Sequence, residues 1–123
     1  MKLSELFKRE GRGVIATSNR QGEVNVAIYA APHVVDDETL AWGMTEGRTY
    51  NNVMDNPNAA YLYMYAGSGY SGARLSLKLK GIENSGEMLD TIKGRAREIV
   101  GPEAAAAVKH AAYFTVVEVR PLI

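Results

Sequence analysis

The sequence predicts a mostly β domain, an antiparallel β-barrel carrying a few peripheral helices. Three observations predict it. Six or seven segments alternate apolar with polar residues, or are rich in β-branched and aromatic side chains, as half-buried strands are. Helical spacing is confined to short stretches, most of them late in the chain. No strand–helix–strand rhythm repeats, as it would in a doubly wound parallel sheet.

The elements follow in order. Ser4 is placed to cap a short helix with Leu3, Leu6 and Phe7 on its apolar side, ended by Gly11 and Gly13. Residues 13–18 read as a strand, and Asn19-Arg20-Gln21-Gly22 as a hairpin turn. In the strand 24–29, Val24, Val26 and Ile28 share one face, and Asn25, Ala27 and Tyr29 the other. Pro32 breaks the run, and 33–35 with 39–44 form a second hairpin across Asp36-Asp37. Thr45 is the expected N-cap of a short helix with Tyr50, Val53 and Met54 on one face; Asn56-Pro57 stops it. Residues 59–65 are a strand with Tyr61, Tyr63 and Tyr65 on one side. Residues 73–81 alternate cleanly, Leu75, Leu77 and Leu79 against Arg74, Ser76, Lys78 and Lys80. A helix spans about 86–100, with Met88, Leu89, Ile92, Ala96 and Ile99 on one stripe. Gly101-Pro102 opens a shorter helix through Lys109, and 112–119 is the last strand.

A chain of 123 residues suits one domain, 1–123, able to bury its own core without staples. Fourteen basic and fourteen acidic residues balance, so the excess of positive charge that nucleic-acid binding requires is missing. The absence of cysteine excludes disulfides, thiol nucleophiles and thiolate metal sites. The first eleven residues lack the apolar core of a signal peptide, and no stretch has the length of a membrane span. A cytoplasmic protein with no nucleic-acid or membrane partner is the expectation.

Residues 67–72, Gly-Ser-Gly-Tyr-Ser-Gly, match the dinucleotide fingerprint letter for letter, with Asp90 about 20 residues on. That fingerprint needs a helix directly after the glycines to receive the pyrophosphate. Here an alternating strand follows, so the segment reads as a strand connection. His33 and His110 are too few and too isolated for a metal site. Trp42 either stacks on a planar ligand or fills the barrel. The tyrosine face is open to two readings, barrel core and subunit interface. Arg74, Lys78 and Lys80 form a solvated basic row. No acid–base pair or nucleophile stands out, so no catalytic residue is assigned.

The informative segment is 45–57, Thr-Glu-Gly-Arg-Thr-Tyr-Asn-Asn-Val-Met-Asp-Asn-Pro. A strand feeds directly into a helix there. First-turn amides have no acceptor within the helix and, with the helix dipole, favour an anion. Arg48 adds a planar fork of donors suited to phosphate, and Thr49 a hydroxyl.

This segment resembles the phosphate-binding stretch of the pyridoxamine 5′-phosphate oxidase-like, FMN-binding split-barrel superfamily. There an Arg or Lys followed by Lys or Thr opens a short helix, and Asn-Pro and an apolar strand follow. Arg48-Thr49, Asn56-Pro57 and residues 59–65 match in order and spacing. So do Gly-Val-Ile-Ala-Thr at 13–17, the Gln-Gly turn, Val24-Asn25-Val26-Ala27, residues 79–83 and the closing strand. The resemblance covers nearly the whole chain and is nearest to the short FMN-binding members.

The resemblance implies a six- to seven-stranded split barrel, a homodimer, and non-covalent FMN at the dimer interface. Asn25, Val26 and Ala27 would border the isoalloxazine ring. Met44, Thr45 and Glu46 would pass the ribityl chain with backbone groups. Arg48 and Thr49 would hold the phosphate, supported by Asn52. It further implies a flavin-dependent oxidoreductase, with NAD(P)H among the conceivable donors. The other implied uses are a non-enzymatic flavin carrier or electron-transfer protein, and the same barrel with deazaflavin or haem. Two departures stand out. Thr49 replaces a lysine found in many relatives, with Lys78 or Lys80 as compensating cations. The chain also shows none of the Arg-x-His element expected for vitamin B6 oxidation.

Overall fold

The computed structural model describes residues 2–67 and 69–123. Met1 and Ser68, which belong to the N-terminal stretch and the glycine pattern read above, lie outside the described residues. The strands are β1 Gly11–Ser18, β2 Val24–Ile28, β3 His33–Val34, β4 Thr39–Met44, β5 Asn58–Tyr65, β6 Gly72–Glu83 and β7 His110–Pro121. They form one sheet in the order β2-β1-β5-β6-β7-β4-β3, with antiparallel pairing throughout. The helices are α1 Leu3–Leu6, α2 Arg48–Asp55, α3 Glu87–Ile99 and α4 Pro102–Ala107.

Period-two alternation gives the sheet one apolar face, and curling that face inward makes the main core; Leu89 and Ile92 of α3 with Ala111 of β7 form a second, smaller cluster. Ile15 of β1, Tyr61 and Tyr63 of β5, Leu75 of β6, Phe114 of β7 and Trp42 of β4 belong to one buried cluster. The tyrosine face therefore fills the barrel. Register shifts between β6 and β7 at Ser76/Leu77 and Leu79/Gly81 help these long strands bend. The β2–β3 connection is tied to the core by two donors. Trp42 Nε1 donates to the Ala30 carbonyl and the Tyr61 hydroxyl to the Tyr29 carbonyl, each at 2.9 Å. The Tyr61 hydroxyl passes over Gly13, where any Cβ would collide with it.

Some local expectations change. Lys2, not Ser4, stands at the N-cap of α1, and no side chain caps it. Gly47, not Thr45, stands at the N-cap of α2: the chain bends at Glu46 and Gly47 after β4, and helical geometry begins only at Arg48. Met54 and Ile99 are exposed: α2 buries only Thr49, Asn52 and Val53, and α3 only Leu89 and Ile92. The α4 helix stops at Ala107, and the Lys109 amide already donates to the Met44 carbonyl at 3.0 Å. The 67–72 glycines lead into β6, as the strand reading requires. No helix among the described residues is long and apolar enough to cross a membrane.

Candidate functional site

The site begins where β4 ends. β4 lies between β3 and β7, and Met44, its last residue, is buried. Thr45, Glu46 and Gly47 then carry the chain into α2. The Gly47 carbonyl accepts the Asn51 amide at 3.0 Å, closing the first turn. No side chain caps α2 and no acidic residue lies in its first turn. The amides of Arg48, Thr49 and Tyr50 therefore have no acceptor within the helix. Together with the positive end of the helix dipole they make a seat for an anion.

Arg48 stands at this seat with its side chain exposed. The ion pairs among the described residues are Arg20–Asp55, His110–Glu46 and Arg120–Glu118, and none of them engages Arg48. Its guanidinium is free to meet a ligand. Thr49 turns the other way. It is buried, and its Oγ1 lies 3.5 Å from Asn25 Nδ2 on β2. The Tyr29 hydroxyl also hydrogen-bonds Thr49, while burial pushes the Tyr29 pKa up. The first turn of α2 is thus joined to the inward face of β2.

The remaining expected residues divide. Asn25 and Ala27 are half-buried on the face of β2 that meets α2. Val26 points to the opposite, outer face and is exposed. The Met44 side chain is in the core and its carbonyl is taken by Lys109, so little of it faces the seat. Thr45 and Glu46 are exposed beside the seat. Asn52 is buried one turn further on, and its Nδ2 donates to Thr17 Oγ1 of β1 at 3.1 Å. Asn52 therefore ties α2 to the barrel wall.

Neither lysine named as a substitute for the missing cation lies at this end of the sheet. By register, Lys78 is opposite Thr115, which is opposite Thr39 at the start of β4. Lys80 acts on Asp36 in the β3–β4 turn. A strand of six residues puts that end roughly 17 Å from Met44.

Sequence reasoning missed a cluster on the other flank of α2. The His110 and Tyr50 rings stack with centroids 4.0 Å apart and planes 4° from parallel. His110 Nδ1 lies 2.6 Å from Asn84 Oδ1, and Nε2 lies 3.4 Å from Glu46 Oε2. Three segments meet there, the β4–α2 stretch, the end of β6 and the start of β7, and nothing in their spacing announces it. Tyr29 was also missed, although its place two residues beyond Ala27 put it on the right face. Among the described residues no group of three His, Asp or Glu side chains could hold a metal ion.

The fold agrees with solved structures. An FMN-binding protein from Syntrophomonas wolfei superposes with a TM-score of 0.82 at 19% identity, covering 98% of this chain and 81% of the other. The fold is a split barrel. A pyridoxamine 5′-phosphate oxidase candidate from Listeria innocua matches at 0.72 and 14% identity, over 98% and 94% of the two chains. HutZ, the haem-storage protein of Vibrio cholerae, matches at 0.64 and 14%, over 98% and 95%. An F420 reductase shares the fold at 0.61 and 20%, over 96% and 91%. At these identities the likeness carries the fold and not the ligand. No family model matches the sequence, and no curated protein sequence matches it.

Proposed function

We propose that this protein binds FMN non-covalently, with the phosphate on the amides that open α2 and on Arg48. One observation carries the reading. A helix start without a cap, beside a free guanidinium, faces solvent at the junction of β4 and α2. The residues present fit the group: backbone amides and an arginine fork are donors suited to a dianionic ester. Thr45 and Glu46 would pass the ribityl chain, and Asn25 and Ala27 would border the ring.

When bound, FMN supplies one- and two-electron transfer. The chain's own part is to bind, orient and shield. Arg48 fixes the phosphate end. The Asn25–Thr49–Tyr29 contacts hold β2 against α2, so the ring's border keeps a fixed distance from that anchor.

A second copy of the chain would complete the pocket. Val24, Val26 and Ile28 of the edge strand β2 are 81%, 68% and 77% exposed. In register across β1 and β5, Ile28 continues to Val14 and Leu62, and Val26 to Ala16 and Ala60. An apolar row of this breadth on an outer face suits a subunit interface. The reading is therefore a homodimeric, cytoplasmic flavoprotein, a flavin-dependent oxidoreductase using a small-molecule donor or acceptor such as NAD(P)H.

The visible spectrum of the purified protein tests the cofactor: flavin bands are expected, and a deazaflavin or haem spectrum would contradict FMN. Turnover of NAD(P)H with free flavin or a ferric chelate is expected; none across several acceptors would leave a carrier or electron-transfer protein. Arg48→Glu removes a charge-assisted bond of about 1.5–3 kcal/mol and adds repulsion of about 1 kcal/mol at water-like dielectric. FMN affinity is expected to fall about 10²- to 10³-fold, with the far-UV circular dichroism unchanged. Unchanged affinity would refute the seat.

A further inference from the structure

A cleft of about 340 Å³ runs between β4 and the α3–α4 pair. Small-molecule sites range over roughly 300–1,000 Å³. Trp42 and Gly43 line it from β4, Ile92 and Ala96 from α3, and Ala104 and Val108 from the α4 segment. Gly43 lets these helices close over the strand, since a Cβ there would come within 2.9 Å of Val108 Cγ1. The alanines leave the room that larger side chains would fill.

One charged group borders this apolar space. Arg95 Nη1 lies 3.1 Å from His33 Nε2, and both residues line the cleft. A guanidinium nitrogen can only donate, so Nε2 accepts and the imidazole is neutral. Burial and the neighbouring guanidinium both hold the His33 pKa below its ordinary value. The pair therefore carries one net positive charge, and among the described residues no carboxylate neutralises it. Arg95 also borders a neighbouring hollow that carries Lys8, Arg9 and Arg12 against Glu10. The field there is positive.

We infer that this cleft binds a small planar apolar molecule bearing a carboxylate, its body between β4 and the helices and its carboxylate on Arg95. Thr45 lines the cleft and leads into α2. The ligand would thus lie beside the proposed flavin seat as the substrate. That role rests on the flavin reading, whereas the binding does not.

The test uses protein free of flavin. Calorimetric titration compares 2-naphthoate with the uncharged 2-naphthalenemethanol. Trp42 is the chain's one tryptophan, and its indole N–H resonance reports on the cleft. The acid is expected to bind about tenfold tighter than the alcohol and to shift that resonance. Arg95→Ala, at an exposed position, should bring the acid down to the alcohol's affinity and leave the alcohol and FMN affinities unchanged. Ala96→Phe should abolish binding of both probes. Equal affinities, no effect of Arg95→Ala, or an unmoved indole resonance at saturation would overturn the inference. Failure of FMN to bind would leave these results standing, so the two readings fail separately.

Discussion

Removing the pin between Asn52 and Thr17 tests how the barrel sets the anion seat. Asn52 Nδ2 donates to Thr17 Oγ1 at 3.1 Å, and both side chains are buried. Thr17→Val keeps the shape and leaves a buried amide without its acceptor; Asn52→Leu leaves the hydroxyl without its donor. Stranding one partner of a buried hydrogen bond costs about 1–3 kcal/mol, whereas replacing both by apolar groups can be nearly neutral. For a chain of this length each kcal/mol moves Tm by about 4 °C, so each single variant should melt about 4–12 °C lower. The double variant should lose less than the sum by about 1 kcal/mol. Urea and thermal unfolding followed by far-UV circular dichroism measure the cycle. FMN titration of the same proteins separates two roles for Asn52. If it acts by pinning α2, Thr17→Val weakens FMN alongside Asn52→Leu, although Thr17 lies on β1. Strict additivity in stability, or a loss of FMN affinity confined to Asn52→Leu, would refute the reasoning.

Two further outcomes follow from the same geometry. The His33 pKa is held below its ordinary value by burial and by Arg95, so the unfolded chain takes up that proton first as pH falls. The stability His33 contributes is complete above about pH 6.5 and declines below it; His33→Gln should flatten that part of the curve, and an NMR titration midpoint at or above the ordinary value would contradict it. Val26→Glu with Ile28→Glu places charge on the exposed β2 row and should convert a dimer to a monomer in sedimentation velocity, with β content kept; a monomeric wild type, or a variant that still dimerises, would count against the interface.

Much of the fold was legible because alternation is a local signal. The leucines of β6 and the tyrosines of β5 point inward as their spacing requires. The β4–α2 junction was legible for the same reason, since a strand, Gly47, Arg48 and then Asn56-Pro57 are neighbours in sequence. Caps were less legible. Thr45 has the right side chain, but the bend at Glu46 and Gly47 moves the N-cap to Gly47. Long-range partners were not legible at all. Nothing near Asn52 points to Thr17, 35 residues away. Nothing near His110 points to Tyr50 or Glu46, which a return of the chain through β7 brings alongside. The inward turn of Thr49 likewise depends on Asn25 and Tyr29. It leaves Arg48 as the one side chain of that expected pair presented to solvent.

Comparing FMN with riboflavin isolates the phosphate proposed to sit at the start of α2, because the two molecules differ only by that group. Fluorescence titration of the wild-type protein should show FMN binding about 10²-fold or more tighter than riboflavin. Equal affinities for the two, or no binding of either, would contradict that proposal.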